Sequence, residues 1–111
     1  MTPPQAIMKR LKLLSAAEQE PEVTDDELEA LIEPWAVNDR YGVSPEESDW
    51  IPTYDMPRAV AEVWEIKASK AANMVDFDVD GSEVSNSQIY EHCMAQAETW
   101  KRKASPRLWV K

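Results

Sequence analysis

The sequence predicts a mainly α-helical protein: a small bundle of three to four helices, with a short β-hairpin near residues 75–84 and an extended C-terminal tail. Apolar residues recur every three or four positions through most of the 111 residues, as they do on the buried face of a helix. Eight prolines against two glycines indicate stiff breaks between helices, because proline fixes φ and cannot donate a backbone hydrogen bond. A chain of this length supports one core. We therefore expect one helical domain over 1–105 and a docking tail over 106–111.

Two helices and a packed loop are expected in the first half of the chain. Residues 4–15 repeat apolar side chains at helical spacing. Thr24 and Glu27 have the spacing of a capping box, which predicts a second helix beginning at Asp25, and Pro34 should end or kink it. In the irregular stretch 36–56, a serine followed by a proline predicts one helical turn at 45–50. The apolar side chains near that turn predict that the loop packs onto the body.

The second half contains the clearest helix and a change of period. Over 57–74 the apolar positions follow one helical stripe, on which Trp64 should be buried and Lys67 also falls. Residues 75–79 then alternate apolar and acidic, and an Asp-Gly pair follows, which predicts the hairpin. Ser85 and Gln88 have capping-box spacing and predict a last helix over 86–103. Its apolar stripe is Ile89, Cys93, Ala97 and Trp100.

The net charge of −9 conceals a strong polarity along the chain. All 21 acidic residues lie between Glu18 and Glu98, where only four basic residues occur, so residues 13–100 carry −17. Both ends are basic and contain no acid. Such a body repels a phosphate backbone, which argues against general nucleic-acid binding. The polarity suits head-to-tail packing of identical copies, although a solvated acidic surface that maintains solubility explains the charges more simply.

The sequence predicts no enzyme, cofactor or metal site. Asp76–Gly81 is similar to the start of a calcium-binding loop, but Ser87 stands where that loop needs a bidentate acid and Glu83 where it usually has an apolar residue. His92 and Cys93 are neighbours on the last helix and point about 100° apart, so they cannot ligate one metal together. We expect Cys93 in the core and His92 at the surface. No apolar stretch approaches the roughly 20 residues of a membrane helix, so no membrane partner is expected, and no secretory leader is expected either.

Five tryptophans are many for so short a chain. Trp64 and Trp100 fall on helix stripes and are expected in the core. Tryptophan is enriched at interface hot spots, and this favours a protein interface formed by residues of the loop region and the tail: Trp35, Trp50, Arg107, Leu108, Trp109 and Val110. The alternative for Trp35 and Trp50 is that their indoles simply cap the core.

Three segments together resemble the small neck proteins of tailed bacteriophages. These are the Trp-Glu helix run at 63–68, the Asp-Phe-x-x-Asp-Gly-like turn at 76–81, and the Ser-x-Ser-Gln-x-Tyr-x-His helix start at 85–92. The acidic Asp-Asp-Glu-Leu opening at 25–28 is similar as well. The resemblance runs in order over about residues 24–104, while 36–56 are unmatched in detail.

The resemblance implies a virion structural protein, a head-to-tail connector adaptor in the phage neck. It implies a homo-oligomeric ring, commonly of twelve copies, that joins the portal protein to a stopper or tail protein and docks through its C-terminal tail. DNA would then be only cargo passing through the channel, and the protein would be made in the cytoplasm of the host bacterium. The alternative from the residues alone is a small regulatory or inhibitor protein that binds one partner through its tryptophan-bearing ends.

Overall fold

A computed structural model of the chain describes residues 3–77 and 82–104. In these ranges the protein is mainly helical, as expected, with α1 (Gln5–Ser15), α2 (Asp25–Ile32), α3 (Met56–Phe77), α4 (Ser82–Lys103) and a 3-10 turn at Glu33–Trp35. The two long helices pack against each other along their length, and α1, α2 and the 3-10 turn pack on α3. The α3–α4 pair is therefore the central structural unit, and the other helical elements pack on α3.

The predicted β-hairpin is wrong in the described residues. Residues 75–77 form the end of α3, and residues 82–84 form the start of α4. Alternation over five residues is a weak strand signal, and continuing an existing helix gains one hydrogen bond for each residue added. The predicted cap at Ser85 is wrong for the same reason, since α4 already begins at Ser82. Residues 78–81, which contain the calcium-loop-like turn, and the tail 106–111 lie outside the described residues.

The first two helices confirm their sequence signals. Helix α1 begins within one residue of the expected start. The capping box of α2 is complete, because the Glu27 N–H donates to Thr24 Oγ1 at 3.3 Å and the Thr24 N–H donates to Glu27 Oε1 at 2.8 Å. Pro34 lies in the 3-10 turn that ends α2.

The loop over 36–55 is closed at its base and ordered around one buried carboxylate. Its ends are joined by the Val37 N–H donating to the Thr53 carbonyl at 3.0 Å. Asp39 is buried and accepts backbone N–H groups from Tyr41, Val43 and Ile51, at 2.8, 3.0 and 2.9 Å. These bonds, led by the one from Ile51, hold the pKa of Asp39 below its usual range. The helical turn expected at 45–50 is absent from this described loop, which forms hydrogen-bonded turns there instead.

The core lies where α1, α2 and α4 meet α3. Its fully buried apolar side chains come from all four helices: Leu11, Leu28, Ile32, Val60, Val63 and Cys93. Trp64 is buried and Cys93 lies in the core, both as expected, whereas Trp100 is only partly buried and packs against the edge of the same cluster. Cys93 and Ala97 are small, so α4 can approach α3 closely.

A buried lysine fastens the segment after α1 to α3. Lys67 is only 2% exposed, and its Nζ donates to the carbonyls of Ala16, Gln19 and Pro21 at 2.9, 2.7 and 2.8 Å. Ala16 has a φ of +50°, a left-handed conformation that costs a non-glycine residue roughly 1–2 kcal/mol. The ammonium thus ties three carbonyls of the segment after α1 to α3, and the Ala16 carbonyl also accepts the Gln19 N–H at 3.1 Å.

Candidate protein interface

Trp50 is held inside its own loop. Its ring is 8% exposed and meets the Tyr54 ring edge-on at a centroid distance of 5.7 Å. Its Nε1 donates to the Val37 carbonyl at 2.9 Å. The loop packs down as expected, and little of this indole remains for contact with a neighbouring molecule.

Trp35 is half-buried and borders a groove of about 550 Å³ beside the end of α4. Its Nε1 donates to Glu62 Oε1 at 2.7 Å, and the Arg58 guanidinium lies 5.8 Å from its ring centroid. On the other side of the groove, Lys101 forms an ion pair with Glu65 that raises the pKa of the lysine. The groove therefore combines an indole edge with paired charges, a composition typical of protein interfaces.

The described part of the chain ends at this groove. Ala104, the last described residue, lines it together with Trp35. The expected interface residues of the tail, Arg107, Leu108, Trp109 and Val110, lie outside the described residues. Of the six expected interface residues, the structure therefore locates two, and Trp35 is the more exposed of them.

The structure exposes three large apolar side chains that the sequence reasoning missed. Leu13 on α1 is 82% exposed, and Tyr41 and Ile51 on the loop are 71% and 49% exposed. For Leu13 a signal exists, because it lies off the α1 stripe formed by the buried Met8, Leu11 and Ser15. Tyr41 and Ile51 have no such signal, since an irregular loop has no period from which to infer a face.

These apolar side chains lie among charges of opposite sign. Leu13 shares the exposed face of α1 with Lys9 and Arg10. The loop exposes three acidic side chains between Tyr41 and Ile51: Glu46, Glu47 and Asp49. The molecule thus has a basic-apolar helix face and an acidic-apolar loop face.

A cavity of about 250 Å³ lies between α3, α4 and the segment after α1, and its two buried polar side chains, Lys67 and Cys93, serve the fold. Lys67 and Cys93 line it, together with His92, whose exposed ring meets Trp64 edge-on at 5.7 Å. All three Lys67 donors bind carbonyls, and burial lowers the pKa of its ammonium. Burial also raises the pKa of the Cys93 thiol, which makes it a poor nucleophile. Lys67 and Cys93 therefore stabilise the fold, while the exposed Glu20 and His92 complete the lining of the cavity.

The described residues contain no cluster of three or more side chains suited to holding a metal ion. None of the helices, in the part of the chain that the structure describes, has the length and apolar character needed to cross a membrane.

Comparisons with known proteins give no relative: no family model matches the chain, and neither does a curated protein or a solved structure.

Proposed function

We propose that this chain is a structural adaptor of the neck of a tailed bacteriophage. In this role it joins the portal protein to the next neck component, a stopper or tail protein, as a ring of identical copies, commonly twelve. Its action is geometric, because a helical body packs beside its neighbours and the tail 106–111 docks on an adjoining molecule. A single tail contact is weak, and a ring presents many of them at once.

The observation that carries the proposal is the order of the three resembling segments on one pair of packed helices. The run 63–68 lies in the middle of α3, and the run 85–92 lies in the first half of α4. Of the run 76–81, the first two residues end α3, and 78–81 lie outside the described residues. Motifs that follow each other in sequence thus belong to one structural unit, as a shared fold requires.

The interface chemistry supports an adaptor over an enzyme. Two reactive side chains that line the cavity between α3 and α4, Lys67 and Cys93, are buried in the fold. The exposed features are a groove beside the start of the tail and apolar side chains with charges around them. These are features of a protein that binds proteins.

The acidic middle of the chain has a place in this proposal. A channel lined by carboxylates lets DNA pass without binding it, because both surfaces carry the same charge. A structure of the ring in which these acids face only outward would eliminate this part of the proposal.

Reconstitution with the portal protein of the same phage tests the function. We expect the chain to co-migrate with the portal ring in size-exclusion chromatography as one large species, and to be located between portal and tail in images of the particle. A chain that ignores the portal and instead binds one host protein in one-to-one stoichiometry would be the regulatory or inhibitor protein of the alternative.

A further inference from the structure

We propose that copies of this chain contact each other head-to-tail, with the α1 face of one copy against the loop face of the next. The α1 face consists of Lys9, Arg10 and Leu13; the loop face consists of Tyr41, Ile51 and the acidic residues 46, 47 and 49. The inference rests on the proposed function in that it names the contact that would build the ring.

Exposure is the first argument. Leu13 and Tyr41 are the two most exposed large apolar side chains in the described residues, at 82% and 71%. Single exposed apolar residues are ordinary on a protein surface. Here, however, the charges near the two side chains differ in net sign. Leu13 shares its helix face with the basic Lys9 and Arg10. The loop that carries Tyr41 exposes three acids and one base, Arg40, whose guanidinium lies 5.9 Å from the Tyr41 ring centroid, so the loop is acidic on balance.

Shape is the second argument. A groove of about 620 Å³ runs beside Leu13, between α1 and the segment that follows it. On the loop, the chain reverses at Gly42, whose φ of +79° favours glycine, and Tyr41 precedes it at the turn. The projecting Tyr41 ring of one copy can therefore enter, on the next copy, a concave site where the Leu13 side chain and the side chains of Lys9 and Lys12 meet.

Charge decides which pairing occurs. Lys9 and Arg10 form no ion pair within the described residues, whereas Lys12 on the same helix is paired with Asp25 at 2.8 Å. The loop acids also lack ion-pair partners in that part of the chain. Two α1 faces would bring like charges together, and so would two loop faces, whereas an α1 face and a loop face attract. A contact between two different patches repeats from copy to copy, and it builds a ring when the rotation between neighbouring copies closes.

Two half-blocked variants test the contact. Leu13→Asp blocks only the α1 face, and Tyr41→Asp blocks only the loop face; both sites are exposed, so circular dichroism should show an unchanged fold. In sedimentation velocity at low salt, each variant alone should remain at the monomer mass of 12.7 kDa. Their equimolar mixture should form a complex of twice that mass and no larger. The intact loop face of the Leu13→Asp chain binds the intact α1 face of the Tyr41→Asp chain, and the two remaining faces are blocked.

A charge exchange and a control sharpen the result. Arg10→Glu should weaken self-association at least tenfold, roughly the effect of losing one central contact. Adding Glu46→Lys to the same chain should restore most of the loss. Tyr90→Asp, on a half-exposed position of α4, should change nothing.

Several outcomes would overturn the inference. These are a dimer formed by Tyr41→Asp alone, wild-type assembly by both variants, or no complex in the mixture at about 1 mM, where even weak pairs associate. The portal experiment separates this failure from that of the proposed function. If both half-blocked variants still form complete rings on the portal, the inference fails and the adaptor role stands. If the mixture forms the pair but wild type ignores the portal, the adaptor role fails and the contact stands.

Discussion

Replacing Lys67 by methionine should destabilise the protein more than any other single change of a charged residue in the described core. Methionine keeps most of the length and apolar stem of lysine but removes the ammonium. The carbonyls of Ala16, Gln19 and Pro21 then lose their shared donor, and the left-handed residue Ala16 loses one of the hydrogen bonds that hold it.

The expected size of the effect follows from two opposing contributions. A hydrogen bond to a charged group contributes about 1.5–3 kcal/mol, and Lys67 makes three of them from one atom. Removing a buried ammonium also removes its desolvation cost, which is several kcal/mol. We expect a net loss of about 2–4 kcal/mol in the free energy of unfolding, which corresponds to a fall in Tm of roughly 10–20 °C for a domain of this size.

Urea unfolding followed by circular dichroism at pH 7 measures this loss, with Lys70→Met as the matched control. Lys70 lies one turn further along α3 and is about one-third exposed, and its Nζ binds one carbonyl and Glu27 at 2.8 Å each. Its substitution should cost about 1 kcal/mol or less, as exposed pairs do. Equal losses for the two variants would refute the reasoning, because the burial of Lys67 would then make no difference to stability.

Limited proteolysis should cut the Lys67→Met variant first between α1 and α2.

Three further outcomes are expected. Asp39→Asn should lower the free energy of unfolding most at neutral pH. The ionised carboxylate, whose pKa is lowered in the fold, stabilises the protein above its unfolded pKa of about 3.9, and this stabilisation is lost as the pH falls through the folded pKa. A difference in unfolding free energy from wild type that stays constant between pH 7 and pH 3 would contradict this. Trp64→Ala should cost roughly 3–5 kcal/mol in unfolding free energy. Trp64→Phe should cost much less, because the buried Nε1 of Trp64 has no hydrogen-bond partner in the described structure. Equal losses for the two variants would contradict this argument. Deleting 106–111 should leave the far-UV spectrum unchanged and abolish incorporation into particles, and wild-type incorporation would contradict the docking role of the tail.

The helices were predictable where local chemistry determines them. The α2 start required only Thr24 and Glu27, three residues apart, and the structure confirms their reciprocal bonds. The α3 stripe identified the burial of Val60, Val63 and Trp64. The hairpin prediction was wrong because a two-residue period over so short a stretch does not outweigh the two long helices that flank it.

The attachment of α1 to α3 through the hydrogen bonds of Lys67 was not predictable from the sequence. Lys67 falls on the apolar stripe, and this position marks it as buried but says nothing of its partners. Those partners are backbone carbonyls about fifty residues away, and every residue has a carbonyl. The buried carboxylate of Asp39 escaped prediction for the same reason, since its three donors are backbone N–H groups. Side chains that bind backbone leave no complementary residue type to recognise.

The hydrogen bonds of Lys67 to these carbonyls allow a further test of the proposed contact between copies. Helix α1 is fixed to the body by its buried side chains and by Lys67, whose Nζ donates its hydrogen bonds to backbone carbonyls. The outward residues Lys9, Arg10 and Leu13 take no part in that attachment. Substitutions on the outward face therefore change association without loosening the helix, whereas Lys67→Met should loosen the helix without altering the face. If the bonds of Lys67 position α1 for a neighbouring copy, Lys67→Met should weaken self-association under conditions where the body is still folded. The pairing of a Lys67→Met chain with a Leu13→Asp chain should be weakened as well. Undiminished pairing would show that α1 keeps its place through apolar packing alone.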